Sequence, residues 1–286
     1  MPPSPIYDQR PQRLVLATDL SARCDRAMDR SVQLARAWDA ELVVANVIET
    51  EAAPDKDAPA WRRDGAPADL VRRLVEADVA DPAVRLKVEV RSGNPPDVVA
   101  DLAETHAAGL IVTGIARDPA LGPRILGRLV ERLARTSPAP TLIVSDRARG
   151  PYRRVVVGLD FSKPSTRAIH TALAYFPDAA VELFHAFQPP ARGRVNLDEH
   201  RDQLRELARK EVDKFLRKSG PEAALGLATV VEPGDAPGLL ADYVHTVGAD
   251  LVVLGAESRG ALTSAIIGGA AARMLSALRG DVLLVR

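Results

Sequence analysis

The chain has a single cysteine, few aromatic side chains and no excess of either charge. One cysteine among 286 residues excludes both an intrachain disulfide framework and a cysteine-based zinc cluster. Lys and Arg number 38, as do Asp and Glu, so the net positive charge typical of nucleic-acid or membrane binders is missing. An aromatic content of 4% disfavours a stacking platform for single-stranded nucleic acid. We therefore expect neither nucleic acid nor a membrane as a partner.

Long apolar runs and familiar catalytic motifs are also missing. No run approaches the roughly 18 apolar residues that a membrane-spanning helix needs. The segment from Met1 to Asp8 lacks the basic and apolar regions of a secretory leader, so we expect a cytoplasmic protein. There is no Walker loop, Gly-x-Gly-x-x-Gly fingerprint, Gly-x-Ser-x-Gly elbow or His-Glu-x-x-His helix. Since no histidine pair has metal-ligand spacing, we expect no metal site and name no catalytic residue.

What the sequence does contain is a copy of itself. The segment from Arg13 to Ser21 resembles the segment from Arg154 to Ser162, at an offset of 141 residues. Three pairs of glycines recur at the same offset: Gly93 and Gly234, Gly114 and Gly255, and Gly127 and Gly268. A repeat of this length is a whole domain rather than a solenoid unit. We therefore predict two domains, at residues 1–148 and 149–286, that meet in a polar stretch containing Gly150 and Pro151.

Each half alternates predicted strands with predicted helices. Short apolar runs of the kind found in strands covered on both faces occur in the first half at Leu14–Ala17, Leu42–Ile48, Leu110–Thr113 and Thr141–Val144. The segment Arg85–Val90 alternates instead, which favours an edge strand. Helical spacing in the second half includes Leu240, Tyr243, Val244 and Val247, and Leu204, Ala208, Val212 and Phe215. The predicted fold is α/β, with two doubly wound, parallel, five-stranded, Rossmann-like sheets in tandem.

Polar residues and glycines follow the predicted strands, where open parallel sheets bind their ligands. Asp19 and Asp160 end the first strand of each half, and each is followed two residues later by a serine. The carboxylate could accept hydrogen bonds from a sugar or base, or the Asp and Ser could cap the first helix. Glycines beside a helix N-terminus let backbone amides approach a phosphate, or simply make a tight turn. His185, in a predicted strand, is either a core or a pocket-lining residue.

Both halves resemble universal stress protein domains. The resemblance covers roughly residues 12–145 and 153–286 and rests on the first-strand Asp followed by Ser, on Gly93 and Gly234, and on three short segments: Ala-Asn-Val-Ile-Glu (45–49), Phe-His-Ala-Phe-Gln (184–188) and Ala-Asp-Leu-Val-Val-Leu-Gly (249–255). It implies a tandem protein whose fold is similar to adenine-nucleotide alpha-hydrolase-like domains. Members of this family include nucleotide binders and non-binders.

The resemblance also implies where ATP or ADP would bind. In the second half the implied contacts are Asp160, Ala186, Gly255, Ser258, Arg259, Gly260, Gly268, Gly269 and Ala270. A weaker set in the first half is Asp19, Val47, Gly114, Arg117, Gly127 and Arg128. The family's phosphate loop reads Gly, two residues, Gly, nine residues, Gly, then Ser or Thr. Both halves depart from it at two of these four positions: Arg117 and Arg128 in the first, and Ser258 and Gly269 in the second.

These departures leave several functions open. The leading expectation is a non-catalytic binding or regulatory module of the stress response. The alternatives are an ATP- or ADP-binding switch in the second half, a weak ATPase, and a binder of another small ligand. The resemblance further implies an intrachain pseudo-dimer that pairs through the last strands, Thr141–Val144 and Val282–Val285, and a homodimer is also open.

Overall fold

The computed structural model describes residues 9–48, 67–115, 127–137, 139–188, 197–219, 221–256, 273–275 and 277–286. The chain divides into two compact units. The first unit comprises Pro11–Ile115 and Gly127–Pro151, and the second comprises residues 9–10 and the described part of Tyr152–Arg286. The domain boundary after residue 148 stays a prediction.

The first unit alternates strands and helices from its start. Its strands are β1 (Arg13–Ala17), β2 (Glu41–Ile48), β3 (Arg85–Ser92), β4 (Leu110–Gly114) and β5 (Thr141–Val144). Its helices are α1 (Asp25–Trp38), α2 (Pro67–Asp78), α3 (Pro95–Thr105) and α4 (Arg128–Thr136). The five strands predicted from the apolar and alternating runs are confirmed, with bounds that differ by only a few residues.

The second unit repeats this order. Its strands are β6 (Arg154–Gly158), β7 (Ala180–Phe187), β8 (Ala228–Pro233), β9 (Leu251–Gly255) and β10 (Asp281–Val285). Its helices are α5 (Lys163–Tyr175), α6 (Leu197–Ser219) and α7 (Ala236–Val247), with a short 3₁₀ helix at Glu222–Gly226. Residues 273–275 and 277 are helical as well. The two helices predicted from apolar spacing are α6, which extends over 23 residues, and α7.

Within each unit the five strands run parallel and are doubly wound. The strand order is β3-β2-β1-β4-β5 in the first unit and β8-β7-β6-β9-β10 in the second. The chain leaves the first strand in one direction and later returns to its other side, so a topological switch point lies beside β1 and beside β6. Ala17 in β1 pairs with Ala45 in β2 and with Thr113 in β4, which brings the carboxyl ends of these strands together. Ligands of such sheets bind at this place.

The core explains why the central strands are apolar at every position. Leu14, Val15 and Leu16 of β1 are each 0% exposed, as are Val155, Val156 and Val157 of β6. The alternating strand β3 is only partly buried and lies at one end of the order in its unit, as predicted. In the described ranges no helix is both long and apolar enough to cross a bilayer.

Candidate functional site

In the first unit, the turn after β1 is held together by its own carboxylate. Oδ1 of Asp19 accepts hydrogen bonds from the Ser21 backbone N–H at 2.9 Å, from the Ser21 hydroxyl at 2.6 Å and from the Cys24 thiol at 3.2 Å. The other oxygen, Oδ2, lies 3.9 Å from the Arg23 guanidinium. The carboxylate therefore has one oxygen committed to the turn and one beside a cation.

These contacts shift the pKa values of the Asp19 carboxyl group and the Cys24 thiol. Partial burial raises the pKa of Asp19, but the hydrogen bonds from Ser21 and Cys24 and the charge of Arg23 outweigh it, so the pKa is lowered. Burial and the neighbouring carboxylate raise the pKa of the Cys24 thiol. A raised pKa disfavours the thiolate, which is the reactive form of a cysteine.

The second unit repeats the carboxylate turn with one difference. Oδ1 of Asp160 accepts from the Ser162 backbone N–H at 3.0 Å and from the Ser162 hydroxyl at 2.5 Å. Among the residues that the structure describes, its Oδ2 has no hydrogen-bond or ion-pair partner. Ser162 is also the N-cap of α5 and accepts from the Ser165 backbone N–H. The second Asp160 oxygen is thus available to a ligand that donates a hydrogen bond.

The residue between the Asp and the Ser has an unusual backbone in both units. Leu20 has a φ of +56° and Phe161 has a φ of +62°. This left-handed conformation costs an L-residue roughly 1–2 kcal/mol. Both units adopt this conformation at the same position, in the turn that follows the first strand. The backbone conformation at Leu20 and Phe161 therefore restricts the directions that these side chains can take.

The second strand of each unit carries a polar side chain that is hydrogen-bonded to the backbone at the start of this turn. In the first unit, Nδ2 of Asn46 donates to the Thr18 carbonyl at 3.0 Å. In the second unit, Nδ1 of His185 contacts the Leu159 carbonyl at 2.8 Å. Since a carbonyl only accepts, Nδ1 carries the proton, and Nε2 of the neutral ring is an acceptor. Asn46 and His185 are each 8% exposed.

The two strand residues implied as nucleotide contacts are the next residues along these strands, after Asn46 and His185. Val47 and Ala186 are both half-buried near the carboxyl ends of β2 and β7. In the first unit, the Thr18 backbone N–H donates to the Ala45 carbonyl. The equivalent bond in the second unit joins Leu159 to the Phe184 carbonyl. These bonds hold the turn against the second strand in both units.

The strand-end glycines are explained by packing of the protein against itself. A Cβ on Gly255 would lie 2.5 Å from the Ser165 nitrogen and 2.6 Å from the Pro164 carbonyl carbon, both in the first turn of α5. A Cβ on Gly114 would lie 3.0 Å from the Arg23 carbonyl oxygen. Glycine at both positions lets the turn after the first strand pack on the fourth strand. These glycines have a structural reason, and their contact with a nucleotide stays a prediction.

Gly93 and Gly234, which carry part of the family resemblance, have a backbone reason as well. Their φ angles are +142° and +141°, a conformation that L side chains rarely adopt. The Gly93 N–H donates to the Ile48 carbonyl, and the Gly234 N–H donates to the Phe187 carbonyl. Each glycine therefore joins the carboxyl ends of the second and third strands at the edge where ligands of this fold bind.

Aromatic rings gather at this edge of the second unit. The ring centroids of Phe161 and His185 are 4.4 Å apart, those of Phe161 and Phe215 are 5.3 Å apart, and those of His185 and Phe187 are 6.5 Å apart. The chain has only five phenylalanines, and three of them belong to this cluster. Phe161 remains 38% exposed. We call the four residues Phe161, His185, Phe187 and Phe215 the aromatic cluster.

The residues implied as phosphate contacts fall largely outside the described ranges. This applies to Arg117, Ser258, Arg259, Gly260, Gly268, Gly269 and Ala270. In the first unit, Gly127 is the N-cap of α4, and the exposed Arg128 opens that helix. The described part of the site therefore consists of the strand ends and the turns that follow the first strands.

The described side chains can bind but show no catalytic arrangement. The Ser162 hydroxyl donates to Asp160 and accepts from the Ser165 N–H, so both of its roles serve the turn. Across the described residues, no three His, Cys, Asp or Glu side chains form a group suited to a metal ion. What this edge offers is carboxylate and imidazole acceptors with an aromatic surface beside them.

Sequence reasoning missed two of these residues and left the role of a third open. Asn46 and Phe161 were not singled out, and His185 was left between two roles. A signal was present, because comparison of the two copies replaces Leu20 by Phe161, Asn46 by His185 and Ile48 by Phe187. Ring-bearing residues thus substitute for aliphatic or amide residues at three neighbouring positions of one copy.

Comparisons with known proteins agree with this architecture. The profile of the universal stress protein family matches residues 11–145 and 151–286. A universal stress protein from Archaeoglobus fulgidus DSM 4304 is 17% identical, with a TM-score of 0.68 over 96% of this chain and 98% of that chain. A protein of unknown function from Pseudomonas aeruginosa PAO1 is 17% identical, with a TM-score of 0.64 over 96% and 92%.

A shorter relative matches one half of the chain. It is a universal stress protein solved in complex with cAMP, 27% identical, with a TM-score of 0.39 over 48% of this chain and 99% of that chain. No curated protein matches the chain.

Proposed function

Because the chain belongs to the universal stress protein family, we propose that it acts in the stress response as a non-catalytic binding module that takes an adenine nucleotide at the carboxyl edge of its second unit. Asp160 carries this proposal. One of its oxygens is held by Ser162, while the other has no partner among the described residues. A carboxylate oxygen presented in this way accepts hydrogen bonds from sugar hydroxyls or a base amino group.

The second unit is favoured over the first on the same grounds. Arg23 lies 3.9 Å from the outer oxygen of Asp19, whereas no described cation is paired with Asp160. A ligand at the first unit would compete with Arg23 for the carboxylate. The first unit is therefore the weaker site in this proposal.

The residues present fit the nucleoside end of ATP or ADP. Asp160 and His185 supply acceptors, and Ala186 lies half-buried at the end of the neighbouring strand. When bound, the nucleotide would supply a charged phosphate chain for recognition by a partner protein. The chain's own residues orient the base and sugar through hydrogen bonds at Asp160 Oδ2 and His185 Nε2.

Equilibrium dialysis of the pure protein against ATP, ADP and adenosine tests the proposal. We expect saturable binding that Asp160→Asn weakens, because the amide keeps the turn's acceptor oxygen but loses the charge. Asp242→Asn, at an exposed carboxylate on α7, is the matched control and should bind as the wild type does. Absence of binding at millimolar ATP would overturn the proposal.

Two alternatives have distinct outcomes in the same material. Phosphate release from ATP that disappears in Asp160→Asn would identify a weak ATPase. A different small molecule carried through purification, seen by native mass spectrometry, would identify a changed ligand.

A further inference from the structure

We propose that the aromatic cluster makes the second unit selective for ligands with a flat aromatic ring, and that Phe161 is the residue that determines this selectivity. The inference rests on the proposed function and names the part of the ligand that the second unit recognises. It concerns side chains that hold no phosphate and that the first unit lacks.

The first step is the position of Phe161. Its ring is supported by His185 at 4.4 Å and by Phe215 at 5.3 Å, and its backbone φ of +62° limits the directions it can take. The residue is nevertheless 38% exposed. A large apolar ring that packs against two other rings and is still 38% exposed offers a surface on which another ring can stack.

The second step is the chemistry beside that surface. His185 is more than nine-tenths buried, and Nδ1 donates to the Leu159 carbonyl. In the described part of the chain its Nε2 has no hydrogen-bond partner, so an open acceptor belongs to a ring that contacts the Phe161 ring. Asp160 is the residue immediately before Phe161 and adds its open oxygen. A ring that stacks here and carries N–H or O–H donors satisfies both acceptors, which describes a nucleoside.

The third step is the contrast with the first unit. Leu20 takes the place of Phe161 on the same left-handed backbone, and Asn46 takes the place of His185 with the same anchoring bond. The hydrogen-bonding frame is therefore common to both units, while the rings belong to the second alone. This assigns ring recognition to the second unit.

The test compares adenosine with ribose 5-phosphate, which lacks the base, by isothermal titration calorimetry of the full chain. Phe161→Leu installs the residue that the equivalent backbone already carries in the first unit. Stacking of a base on an aromatic side chain contributes roughly 1–3 kcal/mol, so adenosine should bind about 5- to 150-fold more weakly to this variant. Ribose 5-phosphate should bind equally to both proteins. Leu20→Phe, on the same backbone in the other unit, is the matched control and should leave the second unit's adenosine site unchanged.

A second variant guards against a folding defect in the first. His185→Asn installs the residue of the first unit, keeps a donor for the Leu159 carbonyl and an acceptor for the ligand, and removes one supporting ring. We expect it to weaken adenosine binding less than Phe161→Leu does.

The outcomes separate this inference from the proposed function. Adenosine binding by the wild type that Phe161→Leu leaves unchanged or strengthens, in a variant with native circular dichroism, overturns the role of the ring and leaves the proposed function standing. If the wild type binds ATP but not adenosine, recognition lies on the phosphates and the inference is wrong. If it binds neither, the proposed function fails.

Discussion

Replacing Gly255 by alanine should destabilise the second unit strongly. The added Cβ would lie 2.5 Å from the Ser165 nitrogen, about 0.9 Å inside the start of ordinary van der Waals contact. The added Cβ would also lie 2.6 Å from the Pro164 carbonyl carbon and 2.9 Å from the Pro164 Cβ, both closer than van der Waals contact allows. Because two of these three atoms are backbone in the first turn of α5, the helix must shift as a whole. Overpacking of this kind costs about 1–3 kcal/mol, and we expect the upper end of that range.

Two further glycines calibrate this effect. Gly114→Ala meets a single close atom, the Arg23 carbonyl oxygen at 3.0 Å, and should cost about 1 kcal/mol. Gly226→Ala has nothing within 4 Å of the new Cβ, and should change the free energy of unfolding by less than about 0.5 kcal/mol. The predicted order of stability is therefore Gly226→Ala, then Gly114→Ala, then Gly255→Ala.

Urea unfolding followed by circular dichroism measures the free energies, and hydrogen exchange of the α5 amides locates the change. We expect faster exchange in the first turn of α5 for Gly255→Ala, since that turn must move. If Gly255→Ala unfolds at the same urea concentration as Gly226→Ala, with α5 equally protected, the packing account of this glycine is refuted.

Two more predictions concern backbone strain and pH. Ala107 has a φ of +46° where the second unit has Gly248 at +64°, and the Gly248 site has open space for a Cβ. Ala107→Gly should therefore stabilise the chain and Gly248→Ala should destabilise it, each by about 1 kcal/mol in urea unfolding; equal signs for the two changes would contradict this. Burial and the hydrogen bond that Tyr243 donates to Glu182 at 2.7 Å raise the pKa of Tyr243 to about 12. Since the neutral phenol is favoured in the folded state, its stabilising contribution is complete below the ordinary pKa of about 10 and disappears as the pH rises through 12. Tyr243→Phe should remove one tyrosine from the late step of the tyrosinate absorbance titration, and an unchanged late step would contradict the assignment.

The repeat and the strand pattern made most of the fold predictable. Strands such as β1 and β4 are buried on both faces. Such strands need apolar residues at successive positions, so the sequence shows an uninterrupted apolar run. The order of strands and helices then leaves the doubly wound parallel sheet as the simplest arrangement. The strands and helices could be predicted from the sequence because their patterns involve only residues that are close together along the chain.

The helix starts show where pattern reasoning stops. Both halves carry Asp-x-Ser after the first strand, and a shared capping role was one expected reading. Ser162 does cap α5, where Pro164 follows in the first turn. In the first unit the helix begins only at Asp25, and its N-cap, Cys24, makes no side-chain capping bond. The same motif therefore caps a helix in one copy and only closes a turn in the other.

The candidate site was harder to predict because its parts are distant in sequence. Phe161 and Phe215 contact each other from a loop and a helix 54 positions apart. No local periodicity encodes that contact, and an aromatic content of 4% gave no reason to look for a ring cluster. The close approach of Gly255 to Ser165 is equally a product of the fold. The carboxylates at Asp19 and Asp160 were found because the repeat marks them twice.

A crystal structure of the protein grown with adenosine tests the central claim most directly. The account predicts one nucleoside at the carboxyl edge of the second unit, with its base on the Phe161 ring and a donor within hydrogen-bond distance of Asp160 Oδ2. A nucleoside bound elsewhere, or at the first unit in preference to the second, would contradict it.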